Sequence, residues 1–324
     1  MLQGKQLIIA TKEFAQENRV KSWYYTFSTL VILCLCLAIT LLPFSFLIKL
    51  PFSILSGLVL IRIFVIYHDY LHDTILQKSK FAYFIFTLVG WYLLTPKTVW
   101  KRSHDYHHKN NSKLFKLCIG SFPVYTTEKF IKCSIREKMD YLFVRHPLTI
   151  VFGYFFTFIW GMCINPLLIS FSKHMDSFFA LILHFTLQLT ILYFWGWPNW
   201  VLFCLIPHII SGALGSYLFY VQHNFPGVYF ASDEDWTYEG SALESSSYLE
   251  MGTFMKWVTG NIGYHHIHHL NSRIPFYRLP EVMAHFKELQ NPKRIRLNLR
   301  DCIACFRLNL WDKELQMMVD IPRT

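Results

Sequence analysis

Four histidines fall within five positions in the stretch TGNIGYHHIHHLNSRIPFYRLP, residues 259–280: His265, His266, His268 and His269. Packing does not ask for that density, but a metal does. The same grammar occurs upstream, where His104, His107 and His108 read HxxHH as do His265, His268 and His269, and His68 and His72 read HxxxH. On a helix, positions i, i+3 and i+4 share a face, so each box is expected to point its imidazoles one way. Eight histidines exceed what one octahedral ion can use, so two metals are the simpler reading. Imidazole suits iron, zinc, copper and nickel alike, so ligand type does not choose among them.

The elements that must carry these boxes are apolar. The 324 residues are 53% hydrophobic and only 16% charged, well below the usual charged fraction of soluble domains, roughly a quarter. Ser22–Ile48 and His146–Ser172 contain no Asp, Glu, Lys or Arg, and neither does Ser177–Ser232, which is long enough for two crossings at roughly 20 residues each. The sequence therefore predicts an all-α integral membrane protein of one domain, residues 1–324. Its parts are an amphipathic lead over 1–21, a core over 22–313 and a tail over 314–324. About four spans are expected, near Trp23–Leu42, Leu50–Tyr67, Phe178–Trp195 and Trp200–Val221, with a cytosolic helical cap carrying the boxes. Phe81–Pro96 is short for a crossing and must leave the first two boxes on one side, so it is expected to be interfacial or re-entrant. Pro147–Ser170 is expected to lie in the membrane plane, by the same parity argument. The lead is expected on the membrane surface. No signal peptide is evident, since the first apolar run follows a mixed-charge lead without a cleavage motif.

Charge gives the orientation. The net charge of +10 concentrates before Ser22, in Lys101–Asp140 and after Leu270. By the positive-inside rule both termini and all boxes face the cytoplasm. The basic face could also attract anionic headgroups or an acidic protein. The acidic run Asp233–Glu250 is expected to be a solvated loop. The eight cysteines are scattered, and Cys302 and Cys305 are expected to be structural thiols.

Further candidates surround the boxes. His223 closes the last span at the cytoplasmic surface and is the ninth candidate ligand. Asp69 and Asp73 are either acceptors for imidazole N–H groups or solvated helix-end carboxylates. His266, out of the HxxHH register, is expected to back the ligands, and Asn261, one turn before His265, to hold a water on the metal. Arg62 is expected to snorkel. His184 and His208, inside spans, are expected to be hydrogen-bonded between helices rather than substrate-facing.

Three boxes in this order between pairs of spans resemble the membrane fatty acid desaturases. Val221-Gln-His-Asn-Phe is similar to the Leu-Gln-His element that follows the last span in acyl-lipid desaturases. TGNIGYHHIHHLNSRIPFYRLPEV and the tail LNLWDKE are similar to bacterial and cyanobacterial members. The resemblance covers roughly Lys21 to Lys313. It implies a non-haem centre of two iron ions, O2 as co-substrate, and oxidation of an acyl chain to a cis double bond. It makes His68, His72, His104, His107, His108, His265, His268 and His269 iron ligands, and His223 an additional one. The first box, HDYLHD, departs from relatives with small residues there, so regiochemistry is not carried over.

No haem-binding HPGG element and no ferredoxin-type cysteine run occurs in the chain. The electron donor is therefore expected in trans, a ferredoxin or a cytochrome b5-like carrier meeting Lys109, Lys113 and Lys116. The expected substrate is an acyl group of a membrane glycerolipid, the expected location a bacterial inner membrane, and no nucleic-acid partner is expected. The competing readings are a di-iron hydroxylase or ketolase acting on carotenoids or fatty acids, and a non-catalytic metal-binding or sensor protein. The nature of the product separates the first, and metal loading without turnover the second.

Overall fold

The computed structural model describes residues 2–114, 122–232 and 234–321; Lys116, Cys118 and Asp233 lie outside the described residues. Among the described residues, three helical stretches are long and apolar enough to cross a membrane: Arg19–Leu41, Phe46–Leu71 and Met175–Val221. A short lead helix, α1 (Lys5–Ala10), precedes the first of them. The spans α2 (Arg19–Leu41) and α3 (Phe46–Leu71) form a hairpin. Asn18 starts α2, its side chain accepting from the Lys21 amide at 3.0 Å, which satisfies one of the orphan donors of the first turn.

Two further short helices follow. The first, α4 (Lys80–Tyr92), enters the bundle beside Trp23 and Phe27. The chain reverses at Leu94, with φ 56°, and the Tyr67 hydroxyl donates to the Thr95 carbonyl at 3.0 Å. It returns to begin α5 (Lys97–Asn110), where the Thr98 amide donates to Asp176 at 2.8 Å. Residues 81–96 thus turn back on themselves at Leu94, which keeps the first two boxes at the same end of the bundle.

The third apolar stretch is folded in two. Gly196, at φ 77° and ψ 170°, breaks α6 (Met175–Trp200) near its end, a conformation open to glycine and costly for other residues. A π-helical turn, Val201–Leu205, leads into α7 (Ile206–Val221). The His184 and His208 rings lie 4.8 Å apart, so α7 runs back along α6. At the end away from the boxes, Lys49 donates to Asn199 at 2.7 Å and Ser53 to the Leu202 carbonyl at 2.5 Å, which ties α3 to this hairpin.

Residues 147–169 do not lie flat. Before them, Arg145 donates to Tyr220 and Asn224 at the end of α7. After the turn at Phe152–Gly153, Met162 accepts from Ser177 at the start of α6. The segment, helical over Pro147–Val151 and π-helical over Tyr154–Ile164, thus descends and comes back. Gly212 permits the turn: a Cβ there would sit 2.5 Å from the Tyr154 nitrogen.

Packing decides three local points. The lead docks on the cap: Leu7 and Phe14 are buried against Ile267, Leu270 and Phe286, an apolar face that the third box itself creates. The acidic run is not a plain solvated loop, since it contains the helix Tyr238–Glu244 and the strand Tyr248–Glu250, and Ser245–Leu249 are buried. Arg62 does not snorkel. It is 4% exposed, donates to Thr29 at 3.2 Å and to the Trp257 carbonyl, and lies 4.6 Å from the Trp257 ring centroid. A buried guanidinium is tolerated where carbonyls and aromatic faces replace water.

Small strands complete the cap. Tyr248–Glu250 pairs in parallel with Arg294–Arg296, while Tyr125–Thr126, Leu310–Asp312 and Met317–Val319 form a second sheet. Cys302 and Cys305 are free thiols on the helix Leu299–Phe306, with Cys305 buried.

Candidate metal centre

The boxes meet at one end of the bundle, on three helices. His68 is on the last turn of α3 and His72 caps it. His104, His107 and His108 lie on α5. His265, His268 and His269 lie on α8 (His265–Leu270). The entry to α8 is set by close backbone pairing: the Leu249 amide donates to the Gly263 carbonyl at 2.8 Å, and a Cβ on Gly263 would come within 2.5 Å of the Leu249 carbonyl oxygen. His223 follows the end of α7.

The nine imidazoles fall into two groups. His68, His72, His104, His108 and His268 form one; His107, His223, His265 and His269 form the other; within each, the ring nitrogens offered lie within 4.8 Å of one another. The boxes do not each point one way. Each HxxHH box gives its i and i+4 rings to one group and its i+3 ring to the other: α5 sends His104 and His108 to the first and His107 to the second, whereas α8 sends His265 and His269 to the second and His268 to the first. The two groups lie side by side, so rings along one helical face reach both.

In the first group Nε2 atoms follow one another from His72 to His68 at 3.2 Å, His68 to His104 at 2.8 Å, His104 to His108 at 3.2 Å and His108 to His268 at 3.1 Å. In the second the contacts are His223 to His265 at 2.9 Å, His265 to His269 at 3.1 Å and His269 to His107 at 3.1 Å. A neutral ring nitrogen is either one donor or one acceptor, so these consecutive contacts cannot all be hydrogen bonds. Nitrogens bound to a common ion at roughly 2.0–2.1 Å stand about 3.0 Å apart when cis, which is the spacing found. The donor set therefore fits a metal ion in each group.

The rings are in the protonation state a metal needs. Burial, reinforced by the neighbouring imidazoles, holds His72, His104, His107, His108, His265, His268 and His269 well below the usual imidazole range. His223 is lowered to about 4 by burial, opposed by its hydrogen bond to the Ser245 carbonyl.

The surrounding candidates separate. Asp69 is buried; it lies 3.3 Å from His68 Nδ1 and accepts from the Phe276 amide at 2.7 Å, tying the first box to the loop after the third. Asp73 is exposed and faces Lys101 at 3.8 Å. The Asn261 amide donates to the Phe276 carbonyl at 3.2 Å. His266 points to the other side of α8, against Tyr248 and apart from both groups. Sequence reasoning missed the Ser245 carbonyl, which takes the His223 Nδ1 proton at 3.0 Å, and Trp100, whose ring stacks on His104 at 4.8 Å. A backbone carbonyl leaves no signal in a sequence, and Trp100 sits one turn before His104 with only its spacing to mark it.

An apolar cavity with walls at Ile61, Phe64, Leu218 and Phe219 opens onto His68 and His104 of one group and His107 and His265 of the other. Such a chamber can hold a hydrocarbon against both groups while keeping water out.

Residues 44–299 match the family model described as fatty acid desaturase. Over 318 residues the chain is 30% identical to a fatty acid desaturase of Bacillus subtilis (strain 168), covering 97% of this chain and 90% of that one. The chain belongs to the fatty acid desaturase family. This desaturase is also 24% identical to an sn-1 acyl-lipid omega-3 desaturase (ferredoxin) of Nostoc sp. (strain 36), over 90% of its own length and 84% of the relative's. It is 22% identical to a chloroplastic omega-6 fatty acid desaturase of Spinacia oleracea, over 69% and 50%.

Proposed function

We propose that this desaturase introduces a cis double bond into an acyl chain of a membrane glycerolipid, at two irons held by the nine histidines, with electrons from a separate carrier. The observation that carries this is the pair of neutral imidazole groups at the mouth of an apolar cavity. The reaction removes two hydrogens, with their two electrons, from adjacent carbons; these, together with two electrons from the carrier and two protons from solvent, reduce O2 to two waters. Bound iron supplies the redox chemistry with O2 that an unactivated C–H bond demands.

The chain's own residues do the rest. Burial keeps the rings neutral, so that lone pairs rather than protons face the ions. Asp69 orients His68 and the Ser245 carbonyl orients His223, the outer contacts that fix ring tautomer and angle. Phe64, Leu218 and Phe219 hold the chain and exclude water from the oxidising site. The donor named for the Nostoc relative is a ferredoxin. An acidic carrier of that kind meeting Lys109 and Lys113 beside the second box fits this charge pattern.

The test is a fatty-acid profile. The chain is expressed in a bacterium that supplies reduced ferredoxin, lipids are analysed by gas chromatography with double-bond location, and iron per chain is counted. A new cis-unsaturated acid is expected. A hydroxylated acid instead would move the assignment to oxygenation, and an iron-loaded chain with no new product would refute it.

A further inference from the structure

The cavity at the histidines does not end at Phe64. A deeper cavity shares Ile61, Phe64 and Gly215 with it and continues to Leu60, Phe158, Tyr154 and His208. Along α3, His68 and Leu60 are eight residues apart, roughly 12 Å of descent at 1.5 Å per residue. The passage is mostly apolar, with Thr95 and Ser211 among its walls, until it reaches a polar cluster. There the Tyr154 hydroxyl donates to His184 Nε2 at 2.7 Å and accepts from Gln188 at 2.9 Å. Trp200 Nε1 donates to Gln188 Oε1 at 3.1 Å. His208 lies against both Tyr154 and His184, at 5.5 and 4.8 Å between ring centroids, with its Nδ1 on the Cys204 carbonyl at 2.7 Å.

The backbone fixes this cluster in place. Tyr154 opens the π-helical stretch Tyr154–Ile164 and packs directly on Gly212, and His208 follows the π-helical turn Val201–Leu205. π-Helical turns put side chains where a regular helix does not, and they recur at functional sites.

We infer that Tyr154 and His208, backed by His184 and Gln188, form the floor of the acyl channel and limit how much chain can lie on the methyl side of the oxidised bond. The inference rests on the acyl-chain reading above. The headgroup of a glycerolipid stays at the surface, so the part of the chain that reaches inward is the methyl end. Apolar walls offer a methyl group no resistance. The bonded set of Tyr154, His184 and Gln188, covered by the His208 ring, does, because a methyl group that entered it would leave polar atoms unpaired in a medium with nothing to replace them.

The experiment feeds cells expressing the desaturase a ladder of saturated acyl lengths and reads, for each, the fraction desaturated. The wild type is expected to show a sharp upper limit. His208→Ala, which removes a floor ring, is expected to move the limit to longer chains. Gly215→Ala, whose new methyl would stand 3.3 Å from Phe158 and 3.7 Å from Ile61, is expected to narrow the passage above the floor and move the limit to shorter ones. Iron per chain reports folding, and if one variant fails to load iron the other still decides. An unchanged limit in an iron-loaded variant overturns the floor. A wild type that desaturates no chain of any length refutes the acyl-chain reading instead.

Discussion

His108 and His269 stack face to face, with 4.2 Å between ring centroids and 20° between planes, although each belongs to a different group of ligands. One ring comes from α5 and the other from α8, so this contact joins the two histidine groups directly. A change in either group presses on the other through these two rings.

His268→Ala and His265→Ala are therefore expected to behave differently in metal binding and alike in turnover. His268 serves the first group and His265 the second. Each variant should empty its own group preferentially, and both should lose desaturation to background. Iron per chain, with Mössbauer or X-ray absorption to count nitrogen ligands, checks this. Equal and complete loss of iron in both would mean that the two groups load as one unit.

Asp69→Asn keeps the shape of the side chain but removes the charge that faces His68 Nδ1 and the strong acceptor of the Phe276 amide. Outer contacts of this kind are worth roughly 10–100-fold in metal affinity or activity. A loss in that range is expected, measured as turnover and as iron retained against a chelator. Asp73→Asn, at an exposed carboxylate, should change little and serves as the control.

Arg62→Met retains the length of the stem and removes the guanidinium. The Trp257 carbonyl and the Thr29 hydroxyl then lose their donor. A buried acceptor left unpaired costs about 1–3 kcal/mol, so the melting temperature in detergent should fall. Because Trp257 lies between the strand Tyr248–Glu250 and α8, iron retention should weaken with it.

The boxes were legible because ligand spacing on a helix is a local property, and local periodicity survives in a sequence. The split of each HxxHH box between two groups was not, because His107 and His268 are claimed by rings from other helices, and spacing says only which rings share a face. Arg62 was misjudged for a similar reason: snorkelling follows from position on one helix, whereas its partner Trp257 is 195 residues away. The long apolar helices were legible in the uncharged runs. The descent and return of residues 147–169 depended instead on Gly153 and Gly212 meeting across two segments.

His266 provides a probe of acid sensitivity that is separate from the metal. Burial lowers it to about 4 from the ordinary 6.5. A histidine depressed in the folded state is neutral there, and the unfolded chain binds the extra proton first. Its contribution is fully present above about pH 6.5 and is lost as pH falls from there towards about 4, on the order of 3 kcal/mol over the window. His266→Leu should flatten the apoprotein's stability over that range, measured by thermal unfolding in detergent at stepped pH. An unchanged pH slope would show that His266 is not shielded from protons in the folded chain.

Electron delivery gives the last prediction. Lys109 lies on α5 one residue beyond His108, and Lys113, four residues further on, sits over the Trp236 ring at 4.2 Å. Charges this near the ligands can steer an acidic carrier toward the centre, and such steering weakens as the screening length shrinks to about 8–10 Å near physiological salt. Lys109→Glu with Lys113→Glu should slow ferredoxin-supported turnover and leave iron content and turnover with a small chemical reductant unchanged. The wild-type rate should fall with added salt, and the double variant's should not. If the variant keeps both the wild-type rate and its salt dependence, the carrier docks on another face.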